Sequence, residues 1–163
     1  MKFGIQHPNF SYDGEGAKII DTLTILSDTA EDLKFDSFWM MDHFQQIMSV
    51  GRPEEPMLEG WTTISVLAGV TSEIRLGTLV TGNSYRHPSV LAKIGATVDV
   101  LSKGRLFFGI GAAWNDAKAR AYGVPFPPTK ERLERLDEAV QVIRKMWTED
   151  RANFDGKYGR AGQ

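Results

Sequence analysis

Short apolar runs alternate with amphipathic helical patterns four times along the 163-residue chain, and this alternation constrains the fold more than any other feature. We interpret the apolar runs as strands, which occupy residues 3–6, 36–41, 74–81 and 105–110. Helices are predicted over residues 17–33, over 60–70, from Pro88 onward and from Thr129 onward, with Thr129 as the N-cap of the last one. Strand–helix alternation of this kind is typical of a parallel sheet with helical crossovers, so an α/β fold is predicted.

Each predicted helix has an apolar face, defined by side chains that recur at steps of three and four. These faces consist of Ile19, Leu23, Leu26, Ala30 and Leu33 in the first helix; Trp61, Ile64, Leu67 and Ala68 in the second; Val90, Leu91, Ile94, Val98 and Leu101 in the third; and Leu133, Leu136, Val140, Ile143 and Trp147 in the last. A short helix is predicted over residues 115–122. Residues 151–163 are polar and Gly-rich, and no fifth strand–helix unit is predicted there.

Two architectures fit four strand–helix units, namely an open doubly wound sheet and part of an eight-stranded TIM-type (β/α)8 barrel. An open dinucleotide-binding sheet is expected to have a Gly-rich turn after its first strand, and here residues 6–9 read QHPN. The nearest match, GIGAAW at residues 109–114, lacks the third glycine of that motif. In a barrel the carboxyl ends of the strands share one rim, which carries the chemistry. Because polar and aromatic residues cluster at the predicted strand ends, we favour the barrel.

Composition excludes several classes of function. The chain has no cysteine, so disulfides, thiolate metal sites and cysteine nucleophiles are absent. A formal net charge of −2 without a basic run gives no reason to expect nucleic acid or an anionic membrane as a partner. No apolar run approaches the roughly 20 residues of a membrane helix, and the N-terminus lacks a signal-peptide pattern, so we expect a cytoplasmic protein. No metal site is predicted, because paired ligand spacing is missing at all three histidines, His7, His43 and His87.

Asp42 and His43 directly follow the second apolar run, and they are the strongest candidates for chemistry. A carboxylate beside an imidazole at a strand end can hydrogen-bond a polar heterocycle or relay a proton. The alternative is a loop-anchoring aspartate beside an exposed histidine, and the two residues alone do not decide between these interpretations.

Two further strand ends contain glycines and small residues. Residues 77–82 and 109–113 allow a ligand to approach the backbone closely, although plain packing and turn formation explain each segment better when it is taken alone. Trp61 and Trp114 are able to flank a flat ligand, but a tryptophan at helical spacing is more often part of a core.

Six segments of the chain, taken together, resemble the luciferase-like monooxygenase family. They are FDSFWMMDHF at 35–44, RLGTLVTG at 75–82, YRHP at 85–88, LSKGRL at 101–106, GIGAAWN at 109–115 and YGVPFPP at 122–128. Each segment alone is modest, but the six occur in the order of the family and at matching separations. The resemblance covers nearly the whole chain up to Tyr158.

The resemblance implies a barrel that binds a flavin at its carboxyl rim. Family members use either FMN or the deazaflavin coenzyme F420, and an Asp-His pair after the second strand is typical of the F420 users. By this resemblance Asp42 is assigned to cofactor binding and His43 to catalysis. A non-proline cis peptide bond is implied within residues 79–81. The other residues assigned to cofactor binding are Leu79, Val80, Thr81, Gly111, Ala112 and Asn115.

The chain departs from the family pattern in three ways. Residues 116–119 read DAKA where the family often has acidic residues and a histidine, and Ala113 stands where a glycine is frequent. A barrel of this kind needs about 250 residues. Residues 1–158 are therefore interpreted as the N-terminal half of a barrel, with about four β/α units, and 159–163 as a truncated tail. Such a half leaves open sheet edges, so self-association or a missing C-terminal half is expected.

Three functions remain open from the sequence. The first is F420-dependent hydride transfer with a small-molecule substrate, whose access the loop at residues 45–59 is expected to shape. The second is an FMN-dependent monooxygenase on the same fold. The third belongs to another class, a non-catalytic remnant or a self-associating half barrel.

Overall fold

The computed structural model describes residues 1–12 and 18–162. Its elements are β1 (Gly4–His7), α1 (Ile19–Asp32), β2 (Ser37–Met40), α2 (Gly60–Val70), β3 (Arg75–Thr78), β4 (Thr81–Gly82), a 3₁₀ turn (Asn83–Tyr85), α3 (Pro88–Leu101), β5 (Leu106–Phe107), β6 (Ile110–Gly111), α4 (Asp116–Ala121), α5 (Thr129–Thr148), β7 (Phe154–Asp155) and β8 (Arg160–Ala161). Within these ranges no helix has both the length and the apolarity needed to cross a membrane. The bounds predicted for α2 and the start predicted for α3 are confirmed, whereas the predicted first residue of α1, Ala17, lies outside the described residues.

The chain forms two compact units. The first unit comprises Met1–Thr81 and Val98–Gly109, and the second comprises Gly82–Thr97 and Ile110–Gln163. In the first unit β1, β2, β3 and β5 form a parallel sheet in that order. Phe38 of β2 is in register with Ile5 of β1 and Leu76 of β3. The predicted parallel α/β arrangement is thereby confirmed.

The core of the first unit lies between this sheet and its helices. Helix α2 packs against β3 and against α1. All four predicted apolar positions of α2 are buried, and Ile64 and Leu67 have no exposed surface. Phe38 and Leu76 are likewise buried in the strands. This packing fixes the carboxyl ends of β2 and β3 relative to the start of α2.

The apolar faces predicted for the other long helices are partly wrong. Leu33, which directly follows α1, is 67% exposed, whereas Ser27 of α1 is buried and its hydroxyl donates to the carbonyl of Thr24 at 2.9 Å. The prediction gave weight to large side chains, and it therefore overlooked Ala139, which is buried in α5. The residues predicted as buried that are instead at least 36% exposed are Leu26, Leu33, Val90, Leu101, Leu133, Val140 and Trp147.

The predicted third and fourth strands are each divided into two short strands. β3 ends at Thr78 and β4 begins at Thr81. The carbonyl of Gly109 accepts hydrogen bonds from the backbone N–H of Thr81 at 2.9 Å and from the hydroxyl of Thr78 at 3.1 Å. The regular ladder is interrupted at Leu79 and Val80, between these two bonds.

Two predictions about the second unit need correction. Thr129 is the first residue of α5 and not its N-cap, which is Pro128. The hydroxyl of Thr129 instead accepts a hydrogen bond from Arg132 at 2.9 Å. The polar tail forms an antiparallel hairpin of β7 and β8, which the sequence analysis missed. Backbone N–H groups of the hairpin turn bind the carboxylate of Glu138, and their donors are Lys157, Tyr158 and Gly159.

Candidate functional site

Asp42 lies two residues beyond the end of β2, and its side chain is turned into the protein. Only 2% of the residue is exposed. The hydroxyl of Thr81 donates a hydrogen bond to Oδ2 of Asp42. The same hydroxyl accepts a hydrogen bond from the indole Nε1 of Trp61 at 3.0 Å. The end of β2, the segment after β3 and the first turn of α2 are thus joined by buried side chains.

The amino terminus of α2 lies directly against the end of β2. A Cβ placed on Gly60 would lie 2.9 Å from the carbonyl oxygen of Met41 and 3.3 Å from Oδ1 of Asp42. Glu59 caps the helix, and its carboxylate accepts the backbone N–H of Thr62 at 2.7 Å. The side chain of Asp42 therefore lies close to the amino end of α2, which carries a partial positive charge.

Leu79 and Val80 form an apolar surface beside this buried carboxylate. The peptide bond that joins them is cis, which confirms the expectation of a non-proline cis bond within residues 79–81. The two residues are 47% and 43% exposed, respectively. The backbone N–H of Leu79 donates to the carbonyl of Met40 at 2.8 Å, so the segment is tied to the end of β2. An exposed apolar surface next to fixed polar groups has the chemistry that a flat heterocycle requires.

His43, the residue after Asp42, is half-buried, and its Nδ1 atom is buried. Another strand-end histidine, His7, packs with aromatic rings instead. Its ring lies edge-on to Phe10 with centroids 5.6 Å apart, and its Nε2 is hydrogen-bonded to the hydroxyl of Tyr12. Burial lowers the pKa of His7, although a hydrogen bond at Asn9 opposes this. His7 therefore mainly packs against the rings of Phe10 and Tyr12.

The remaining predicted cofactor residues belong to the second unit. Gly111 ends β6, Ala112 follows it, and Asn115 is the N-cap of α4. The side-chain oxygen of Asn115 accepts the backbone N–H of Lys118 at 3.2 Å. Lys118 is only 6% exposed, and burial lowers its pKa to about 8. Asn115 therefore shapes the turn between β6 and α4.

Arg132 of α5 organises the same turn and was missed by the sequence analysis. Its Nη1 donates to the carbonyls of Ala112, at 3.2 Å, and Ala113. Its guanidinium lies over the ring of Phe126, 4.2 Å from the centroid. The contact joins residues about twenty positions apart, and no local pattern indicates it. Trp114 is 65% exposed, whereas Trp61 is buried.

Comparison with known proteins identifies the family. The sequence profile described as luciferase-like monooxygenase matches residues 1–162. The chain belongs to the luciferase-like monooxygenase family. An F420-dependent glucose-6-phosphate dehydrogenase from Kineococcus radiotolerans is 40% identical over 132 residues, which cover 79% of this chain and 37% of that relative.

Solved structures of similar fold are also much longer than this luciferase-like chain. The coenzyme F420 dependent tetrahydromethanopterin reductase from Methanopyrus kandleri has a TM-score of 0.77 and 25% identity, covering 99% of this chain and 44% of that one. The oxygenating constituent of 3,6-diketocamphane monooxygenase from Pseudomonas putida, in complex with FMN, has a TM-score of 0.80 at 23% identity, and the match covers 99% of this chain and 43% of that one. At that identity the likeness shows the fold alone. The α/β barrel class is confirmed, and the chain spans less than half the length of these proteins.

One departure from the luciferase-like pattern has a visible consequence. Ala113 stands where the family often has glycine, and its φ angle is +58°. Left-handed backbone of this kind is unfavourable for residues with a Cβ. Residue spacing and composition do not reveal that position 113 has left-handed backbone. The only signal in the sequence was the resemblance, because the family often has glycine there.

Proposed function

We propose that this chain forms the amino-terminal part of the cofactor site of an F420-dependent oxidoreductase, which transfers a hydride between the cofactor and a small-molecule substrate. The proposal depends on one observation, the buried Asp42 carboxylate beside the exposed apolar surface of Leu79 and Val80. It is supported by the 40% identity to a relative named as an F420-dependent dehydrogenase. Because the chain covers 37% of that relative, the activity of the whole protein is part of the proposal.

The residues of the first unit fit a flavin-like ring. Leu79 and Val80 would shield one apolar face of the ring from water, and Asp42 and His43 would provide polar groups at its edge. In the second unit, Gly111 and Ala112 are small enough to leave room for a flat group, and we propose the same binding role for them and for Asn115. In this proposal, these residues would hold and orient the ring by direct packing against it.

His43 is proposed as the catalytic residue. When bound, F420 supplies two-electron hydride chemistry, and the protein supplies position and proton handling. An imidazole changes protonation state near neutral pH, so His43 would hold or deliver the proton that accompanies hydride transfer. Asp42, the preceding residue, would fix the backbone from which His43 projects, because its carboxylate is tied to Thr81.

Titration with the two cofactors tests this proposal. We expect F420 to bind the chain and to change its own fluorescence, with weaker binding of FMN. Asp42→Asn, which keeps the size and removes the charge, should weaken F420 binding by about tenfold or more. Asp28→Asn, at an exposed position of α1, is the matched control and should bind as the wild type does.

The same titration decides between the alternatives. Tighter binding of FMN than of F420 would favour the FMN-dependent monooxygenase, which the fold likeness to an FMN-bound oxygenase supports. Absence of binding by both would reject a cofactor site in this chain and favour a non-catalytic remnant.

We also propose that further strands pair with the first-unit sheet. Its outer strands are β1 and β5, and open strand edges invite pairing through their unused backbone groups. In the 163-residue chain on its own, a second copy would supply these strands. Light scattering should then show a dimer or a larger assembly at micromolar concentration, and a clean monomer would reject this association.

A further inference from the structure

The two hydrogen bonds that join Trp61, Thr81 and Asp42 can run in only one direction when the carboxylate is ionised. An indole N–H only donates hydrogen bonds, and an ionised carboxylate only accepts them. The Thr81 hydroxyl has one hydrogen, so it accepts from Trp61 and gives its own hydrogen to Asp42. The three side chains are buried, with 2%, 0% and 2% exposure respectively.

The hydroxyl hydrogen of Thr81 is therefore used inside the protein. Its hydrogen is directed at Asp42, and its lone pair receives the indole at 3.0 Å. The backbone N–H of Thr81 is also used, because it donates to Gly109 at 2.9 Å. A hydroxyl fixed in this way has no hydrogen to offer a ligand, so we do not expect the Thr81 hydroxyl to donate a hydrogen bond to the cofactor.

The three side chains connect the parts of the site that must keep their spacing. Asp42 directly precedes His43, and Thr81 directly follows the exposed Leu79 and Val80. Trp61 is in the first turn of α2, whose Gly60 lies against Met41 and Asp42. Movement of any one of the three would change the distance between the apolar surface and the polar strand end.

We propose that Trp61 and Thr81 are positioning residues, which form a directional hydrogen-bond relay that orients the carboxylate of Asp42 at the edge of the cofactor surface. The inference rests on the proposed function for its role in binding, and on the hydrogen bonds alone for the relay. Neither residue touches the cofactor in this proposal. Thr81 acts on the ring through Asp42, and Trp61 acts through Thr81.

The positioning role is tested by measuring the F420 affinity of variants with conservative substitutions at Thr81 and Trp61. Thr81→Val keeps the shape and removes the hydroxyl, and we expect F420 affinity to fall about tenfold, as for loss of a hydrogen bond to a charged group. Thr81→Ser restores the hydroxyl and should bind within about twofold of the wild type. Trp61→Phe should weaken binding about two- to tenfold, in line with one neutral hydrogen bond. Wild-type affinity in Thr81→Val, or an equal loss in Thr81→Ser, would overturn the proposal.

A cofactor-free measurement separates failure of the relay from failure of the proposed function. The indole N–H proton of Trp61, assigned in an NMR spectrum through Trp61→Phe, should shift and exchange faster with solvent in Thr81→Val. It should also move in Asp42→Asn and stay near its wild-type position in Thr81→Ser. An unchanged resonance in Thr81→Val overturns the relay even where F420 binds. A shifted resonance in a chain that binds neither flavin would support the relay and reject the proposed function.

Discussion

The Cα atom of Gly60 lies so close to the carbonyl oxygen of Met41 that an added Cβ would be 2.9 Å from that oxygen. Backbone atoms on both sides leave little freedom to adjust. Gly60→Ala should therefore push the start of α2 away from the end of β2. We expect a loss of about 1–3 kcal/mol in the free energy of unfolding, as for overpacked cores, together with weaker cofactor binding.

Gly69→Ala, on the same helix, is the matched control. A Cβ at Gly69 meets no atom within 4 Å. Alanine also favours the helix over glycine, so this variant should gain about 0.5–1 kcal/mol. Urea denaturation of both variants measures the difference, and equal effects at the two glycines would show that Gly60 is not needed for close approach.

Arg105→Lys tests a half-buried guanidinium that joins three parts of the first unit. The hydrogen bonds of Arg105 go to Ser102 O at 2.7 Å, Thr71 Oγ1 at 2.8 Å, Ile74 O at 2.7 Å, Ala68 O at 3.0 Å and Thr71 O at 3.0 Å. Lysine has the charge but not the planar fork, so most of these bonds are lost. We expect a loss of about 2 kcal/mol by urea denaturation. Arg144→Lys, at an exposed position of α5, should stay within about 0.5 kcal/mol of the wild type.

The order of strands and helices was predictable because it depends on the spacing of apolar residues within short segments of the chain. Strand–helix alternation predicted the parallel sheet, and the apolar spacing of α2 predicted both its bounds and its buried face. The bond between Thr81 and Asp42 joins residues 39 positions apart, and it arises only once β2 and β3 are paired. Neither it nor the Arg132 contacts have a local signal. The asparagine and aspartate at strand ends were visible, but their partners were not.

Glu31 should make stability depend on acid pH. Burial acts to raise the pKa of its carboxyl, but hydrogen bonds from Ser72, Ile74 and Glu73 outweigh it and hold the pKa below the usual 4.5. The resulting stabilisation is complete above pH 4.5 and is lost as the pH falls through the lower folded-state pKa. Thermal melts from pH 6 to pH 3 should show a smaller drop for Glu31→Gln than for the wild type. Glu54→Gln, an exposed control, should follow the wild-type curve.

Lys118 should make stability depend on pH in the alkaline range. Burial lowers its pKa from 10.5 to about 8. Between these values the unfolded chain binds the proton and the folded chain does not, so stability rises as the pH increases from about 8 towards 10.5. Lys118→Met removes this dependence, and its stability relative to the wild type should be greatest at pH 7. Parallel behaviour of Lys118→Met and the exposed control Lys93→Met would contradict the assignment.

Ala113→Gly should stabilise the turn that Arg132 holds. The φ angle of +58° costs a residue with a Cβ about 1–2 kcal/mol, whereas the extra freedom of glycine in the unfolded chain costs about 0.5–1 kcal/mol. The variant should therefore gain up to about 1.5 kcal/mol. Ala112→Gly is the matched control, because Ala112 also gives its carbonyl to Arg132 but is not among the residues with positive φ. It should lose about 0.5–1 kcal/mol, since it gains only unfolded-state freedom. Urea denaturation of both variants checks the sign, and a loss at Ala113 equal to that at Ala112 would show that the left-handed backbone is not maintained in solution.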